Sequence, residues 1–407
     1  MRFHSGMAKL RSALSRVVLP LILSIFFNVG AASAVDGGKY LVYIGTYTLG
    51  TDGQEQAKNT GSKGIYVYRY DAETGDIAPL GVAGETTNPS WVTVAPNGRF
   101  LYAVNEVGNF RGPNSGGVSA FAIDRKTGKL MFLNEVASRG ADPCYVAVDK
   151  SGKFVLVANY TGGSVAVFPI LADGQLGEAS DFIQHTGHGA DPQRQEGPHA
   201  HFIDLSPDNR LAFVDDLGLD ELLAYKFDNT KGTLTPNDPP FTKLDPTGSG
   251  PRHFALHPSG KFAYVISEMA GTVTVFSSDL AAGTFRQRQV ISTLPAGYKG
   301  PKEDAEIEIA PSGKFLYASN RGDANSIAVF RINQQDGELS LIEIVPTEGK
   351  TPRSFAIDPS GKSLLVANEN SDNIVAFHID QKTGRLTSTG KVMHVPAPVC
   401  VKFLKID

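Results

Sequence analysis

Leu256 to Glu268 reads LHPSGKFAYVISE, and variants of this phrase return along the chain. They are VAPNGRFLYAVNE (Val94 to Glu106), VDKSGKFVLVANY (Val148 to Tyr160), LSPDNRLAFVDDL (Leu205 to Leu217), IAPSGKFLYASNR (Ile309 to Arg321) and IDPSGKSLLVANE (Ile357 to Glu369). The shared turn residue falls at Gly98, Gly152, Asn209, Gly260, Gly313 and Gly361, with separations of 54, 57, 51, 53 and 48. In each copy an apolar strand enters a turn whose glycine or asparagine accepts a positive dihedral, and in five of the six a proline fixes another. A second strand leaves with two-residue alternation. A third follows in GGVSAFAID, GGSVAVFPI, AGTVTVFSS, ANSIAVFRI and SDNIVAFHI, and a fourth after TGKL, DGQL, DGEL or TGRL.

About four antiparallel strands per 50-residue unit describe a propeller blade. Six copies are complete, and the chain ends supply a seventh. PVCVKF (Pro398 to Phe403) matches the entering strand, and KYLVYIGTYT (Lys39 to Thr48) matches the strand that leaves the turn. The expected fold is therefore all-β: a seven-bladed β-propeller of four-stranded antiparallel blades. Pairing of N- and C-terminal strands in one blade closes it and removes two sheet edges.

Outside the repeat, the first 34 residues differ in character. Arg2, Lys9, Arg11 and Arg16 precede the apolar VVLPLILSIFFNVGAASA, with Ala32 and Ala34 placed for a cut before Val35. This is the pattern of a secretory signal peptide. It predicts a leader at 1–34, one propeller domain at 35–407, and an exported protein, periplasmic if the organism is Gram-negative. The 407 residues are 41% hydrophobic with a formal charge of -4, and no basic block follows the leader, which argues against nucleic acid as a partner. Cys144 and Cys400 are the only cysteines, both in apolar strands, and are expected as buried free thiols. A closed ring needs no partner at an edge, so a monomer is expected.

Equivalent repeat positions form rings at the channel mouth. Eight residues before the anchor stand Ser90, Cys144, His201, Arg252, Ala305 and Arg353, with Val399 as seventh member. Eight residues after it stand Glu106, Tyr160, Leu217, Glu268, Arg321 and Glu369, with Thr46. One step further along the entering strand come Trp91, Tyr145, Phe202, His253, Glu306 and Ser354. Charges gathered at a narrow opening require partners or a ligand. His201, Arg252, His253, Glu268, Glu306 and Arg321 come from three consecutive blades and form the densest group. His199 shares the strand face of His201, and Glu106 extends the ring. His253 follows Arg252, so strand alternation turns it to the opposite face. A purely structural reading pairs Arg252 with Glu268 and Arg321 with Glu306.

Two arginines suit a carboxylate, a phosphate or a developing oxyanion. Histidine and glutamate suit proton transfer. His199 and His201 alone are weak evidence for a metal, and the neighbouring arginines favour an anion over a cation; no metal or cofactor is expected. No nucleophile elbow stands on a strand–turn–helix, and no glycine-rich dinucleotide loop is present.

The segments EGPHAHFIDLSPDNRLAFVDDLGLDELLAY, GPRHFALHPSGKFAYVISE and AEIEIAPSGKFLYASNRG resemble the seven-bladed lactonase family. That family contains bacterial propeller-type 6-phosphogluconolactonases and fungal carboxy-cis,cis-muconate cyclases. The resemblance covers about Lys39 to Phe403. It implies a metal-independent lactone hydrolase of the 6-phosphogluconolactonase type, and the set proposed as catalytic in the cyclase branch matches His201, Arg252, Glu268 and Arg321. Glu268 and His201 would move protons, and the arginines would bind an anionic lactone and its developing charge. Which of the two is the base stays open. The leader makes an unphosphorylated sugar lactone or an aromatic-derived lactone a better fit to location than 6-phosphogluconolactone. A muconate-type cycloisomerase and a non-enzymatic ligand- or protein-binding propeller are the alternatives. Ser267 departs from the asparagine of other copies and is expected to alter hydrogen bonding beside Glu268.

Overall fold

The computed structural model describes residues 38–49 and 60–406. The leader assigned to 1–34 lies outside the described residues. Among them the chain forms seven four-stranded antiparallel sheets, six of them simple meanders and one joining the two chain ends, and one short 3-10 turn at Glu369–Ser371. Blade 1 is built from Pro398–Lys405, Lys39–Thr46, Gly64–Asp71 and Asp76–Glu85, in that order from the channel outward. The inner strands of blades 2 to 7 are Val92–Val94, Pro143–Val148, Ala200–Leu205, Pro251–Leu256, Asp304–Ile309 and Pro352–Ile357. Blade count, blade composition and closure by the terminal strands all match the sequence expectation.

The repeat phrase explains the local geometry. Gly98, Gly152, Gly260, Gly313 and Gly361 have φ between +64° and +74°, and Asn209 takes the same left-handed conformation at +62°. Asparagine tolerates that region better than other non-glycine residues. The alternating strands then bury both faces, because each sheet packs against the blades on either side. The strands Phe100–Asn105, Phe154–Asn159, Phe262–Ser267 and Phe315–Asn320 are buried at every position.

A second recurring device joins neighbouring blades. Gly174, Gly337 and Gly384, the glycines of the DGQL, DGEL and TGRL turns, lie against the rings of Phe100, Phe262 and Phe315 in the preceding blade. Two residues beyond each phenylalanine, Tyr102, Tyr264 and Tyr317 donate their hydroxyls to the carbonyls of those same glycines, at 3.0, 2.9 and 2.8 Å. Tyr43 makes the corresponding bond to Gly128 at 3.2 Å. Each clip satisfies a buried hydroxyl and fixes the spacing between two blades.

Cys144 and Cys400 are buried and free, as expected. No described helix is long and apolar enough to cross a membrane.

Candidate active site

The mouth is shaped by a bulge repeated in the inner strands. In five blades the pairing of the inner strand with the next strand skips one residue: Cys144, His201, Arg252, Arg353 and Val399. In blade 6 the irregularity spans Ala305 and Glu306. These skipped residues are members of the first ring, so most of that ring consists of bulge residues. A bulge re-aims side chains and breaks strict alternation. This corrects the expected placement of His253. It does not turn away from Arg252: Arg252 Nη1 lies 3.3 Å from His253 Nε2, and both residues are buried. Inner strands also begin under backbone constraint. Asn88, Asp142, Gly250, Thr351 and Ala397 each precede a proline and each has a positive φ, with β-branched Thr351 at +59°.

Glu268 is the centre of the site. Its Oε2 accepts from Arg252 Nε at 3.0 Å and pairs with Arg321 Nη2 at 2.7 Å, while Oε1 accepts from Arg194 Nη2 at 2.6 Å. The pairing of Arg321 with Glu306 entertained above is not formed; Arg321 pairs with Glu268, and its Nε and Nη2 also donate to the carbonyls of Glu303 and Asp304. Burial alone would raise the Glu268 pKa, but Arg321, Arg252 and Arg194 outweigh it and hold the carboxyl far below its usual range. Arg252 shows the converse. Burial, then Arg353 and Arg321, push its guanidinium down to about 10. One carboxylate therefore faces three arginines, and this part of the mouth is short of negative charge.

His201 stands beside this cluster. Burial, then the neighbouring Arg252, His253 and Arg353, push its pKa well below the ordinary histidine value, so the ring is neutral. Its Nδ1 is buried and has no partner among the described residues. Tyr160 packs between two histidines: its ring lies edge-on to His201 at 5.5 Å and stacks on His199 at 4.7 Å. His199 Nδ1 reaches the Tyr160 carbonyl at 3.1 Å, and its Nε2 lies 3.4 Å from Glu196.

One layer deeper, the third ring forms a floor. Trp91 stacks on Tyr145 at 4.5 Å, Tyr145 meets Phe202 at 4.5 Å, and His253 lies edge-on to Trp91 and Tyr145 at 5.1 and 5.3 Å. His253 Nδ1 is 3.0 Å from Glu306 Oε1, and Ser354 Oγ is 3.3 Å from Glu306 Oε2. Arginine can only donate, so His253 Nε2 accepts from Arg252 and Nδ1–H donates to Glu306. This fixes the tautomer and steadies the Arg252 guanidinium, whose Nη1 also donates to the Ala305 carbonyl at 2.7 Å. Burial raises Glu306 to about 7 against the lowering effect of Lys402 and Arg252.

Glu106 lies in the same mouth with a separate partner. Tyr47 Oη donates to its Oε1 at 2.9 Å, the Arg353 guanidinium lies over the Tyr47 ring at 5.3 Å, and burial raises the Glu106 pKa. His257 is structural: its Nε2 reaches the Gly313 carbonyl at 2.9 Å, joining two blades. Ser267 Oγ is buried without a partner among the described residues, whereas the equivalent Asn105, Asn159, Asn320 and Asn368 donate to carbonyls of the segments that precede their blades' inner strands. Serine is too short for that bond.

Arg194 is the site residue that repeat alignment missed. It comes from residues 185–199, the longest of the connections that lead from one blade to the next. An arginine in an unusually long connection arriving at the mouth was the available signal. Among the described residues, no group of three His, Cys, Asp or Glu side chains is arranged to hold a metal ion.

The chain can now be set beside known proteins. The family described as "Lactonase, 7-bladed beta-propeller" matches residues 41–403. A 6-phosphogluconolactonase of Bacillus subtilis is 39% identical over 366 residues, covering 90% of this chain and 99% of that protein. A 6-phosphogluconolactonase of Formosa agariphila is 38% identical over 330 residues, covering 79% of this chain and 90% of that protein. The solved structure of a Pseudomonas aeruginosa periplasmic gluconolactonase superimposes with a TM-score of 0.81 at 34% identity, covering 91% of this chain and 100% of that one. A family match across nearly the whole propeller, with relatives of this identity and coverage, makes this chain an enzyme of the seven-bladed β-propeller lactonase family.

Proposed function

We propose that the mouth hydrolyses a sugar-derived lactone, with 6-phosphogluconolactone and unphosphorylated gluconolactone as candidate substrates. The observation that carries this is one carboxylate, Glu268, held by Arg194, Arg252 and Arg321 beside the neutral, buried His201. In this scheme Arg252 and Arg321 receive the lactone carbonyl oxygen. His201 takes a proton from water as the water oxygen attacks the carbonyl carbon. The tetrahedral oxyanion is stabilised by guanidinium donors already fixed in position. Its collapse breaks the bond to the ring oxygen, which receives the proton from His201, and the resulting acid ionises to release one proton.

Glu268 has a different task in this scheme. Its carboxylate is engaged by all three arginines, so it orders them, and proton transfer falls to His201, whose buried Nδ1 has no partner among the described residues. No step draws on a metal, and treatment with a chelator is expected to leave the rate unchanged. The leader-like residues 1–34 point to export, periplasmic in a Gram-negative organism. The relative named a periplasmic gluconolactonase supports an unphosphorylated lactone as the substrate met there.

The test is proton release at fixed pH from 6-phosphogluconolactone, δ-gluconolactone and a muconolactone, each corrected for spontaneous opening. Turnover of a sugar lactone by the wild-type chain is expected. Folded protein that opens none of them would sink the hydrolase reading and favour a binding role.

A further inference from the structure

The connection between blades 3 and 4 is built as a rigid platform. Asp216 holds both ends of it: Oδ2 pairs with His185 Nδ1 at 2.6 Å, and Oδ1 accepts from the His199 amide at 2.7 Å. Gln195, buried within it, accepts the amides of Ala190 and Asp191 at 2.9 and 3.0 Å. Its Nε2 donates to the Leu217 carbonyl and to Asp220 Oδ1, both at 2.8 Å. Asp191 Oδ1 then accepts the amides of Gln193 and Arg194 at 2.8 and 3.0 Å. Arg194 therefore starts from a fixed backbone.

Its side chain is placed differently from the other two arginines on Glu268. It is 45% exposed, against 2% for Arg252 and 11% for Arg321. Nη2 meets Glu268 Oε1 at 2.6 Å and Tyr160 Oη at 3.3 Å, and no partner for its remaining N–H groups is found among the described residues. Arg252 and Arg321 donate into buried carbonyls and to the inner face of the carboxylate.

We propose that Arg194 recognises an anionic substituent carried by the lactone away from its carbonyl, and so sets the preference for acidic over neutral lactones. The inference rests on the lactone-hydrolase reading and adds the residue that sorts substrates within it. Three arginines share one carboxylate, so an incoming phosphate or carboxylate supplies charge the site lacks. Of the three guanidiniums, Arg194 alone is half exposed, and a planar fork suits either anion in bidentate fashion. The deeper pair is left for the oxygen that becomes negative during reaction.

The experiment compares kcat/KM of the full chain for 6-phosphogluconolactone and δ-gluconolactone in the wild type, Arg194→Gln and Arg194→Lys, at two ionic strengths. In Arg194→Gln the ratio of the two constants should fall about tenfold or more, the usual scale for losing a hydrogen bond to a charged group. The loss should appear in KM for the phosphorylated lactone. Arg194→Lys should recover part of it, keeping the charge without the fork. Equal losses for both lactones, an unchanged ratio, or a wild type that opens only the neutral lactone would overturn the proposal. If the wild type opens neither lactone, the hydrolase reading fails, and calorimetric titration with inorganic phosphate decides this inference separately. Weaker phosphate binding by Arg194→Gln than by wild type supports it; equal or absent binding overturns it.

Discussion

Glu268 concentrates the electrostatics of the mouth in one side chain. Replacing it with glutamine leaves buried Arg252 without its anion, a change that costs on the order of 3–5 kcal/mol in comparable buried pairs. Glu268→Gln should therefore melt earlier than wild type and lose turnover, and millimolar phosphate should restore part of the melting temperature. The pH dependence has a definite sign. The folded pKa of Glu268 lies below its ordinary 4.5, so its contribution is complete above pH 4.5 and is lost as pH falls below it. Wild type should lose more stability than Glu268→Gln between pH 5 and lower pH. Glu306 runs the other way. Its folded pKa of about 7 exceeds the ordinary 4.5, so the folded state binds more protons between those values, and stability falls as pH rises through that window. Glu306→Gln keeps an acceptor for His253 Nδ1–H and should flatten that alkaline loss in melts from pH 5 to 8. At this scale the sequence was readable where the repeat was intact. His201, Arg252, Glu268 and Arg321 meet because equivalent positions in a ring must meet. His253 was misplaced because the bulge at Arg252 cancels the alternation used to aim it. Arg194 escaped because it belongs to no repeat position.

The element that determines the packing is the clip between blades. Gly337 sits at φ +79°, and a Cβ there would lie 2.4 Å from the Phe262 ring. Gly337→Ala combines a left-handed backbone with a clash, and should destabilise by about 1–3 kcal/mol. Denaturant unfolding reads this as a lower midpoint with an unchanged slope; an unchanged midpoint would contradict the clip. Asn320→Ser removes the bond from Nδ2 to the Thr293 carbonyl at 3.1 Å and should cost about 1 kcal/mol. The turn glycines and the Phe-x-Tyr spacing are visible in the sequence. Their partnership was not, because it joins one blade to a turn in the next, some seventy residues on.

On the scale of the whole molecule, the last strand closes the ring. Lys39–Thr46 pairs with Pro398–Lys405 from Tyr40 opposite Lys405 to Thr46 opposite Pro398. The strand that completes blade 1 therefore comes from the far end of the chain, and terminal matching of the repeat phrase was enough to foresee it. Removing residues 398–407 leaves blade 1 without its inner strand, exposes an unpaired edge, and should yield protein that aggregates on gel filtration where the intact chain elutes as one sharp peak. Closure also holds bulge residues from separate blades around one opening.

The most direct measurement is the pH profile of kcat/KM for the better sugar lactone, from pH 5 to 8, in wild type and His201→Gln. A neutral His201 acting as base predicts a flat wild-type profile across the ordinary histidine range, with a fall only on its acid side, and a loss of about a hundredfold or more in the variant. A wild-type profile that follows an ordinary histidine titration, or a His201→Gln rate equal to wild type, would contradict the account.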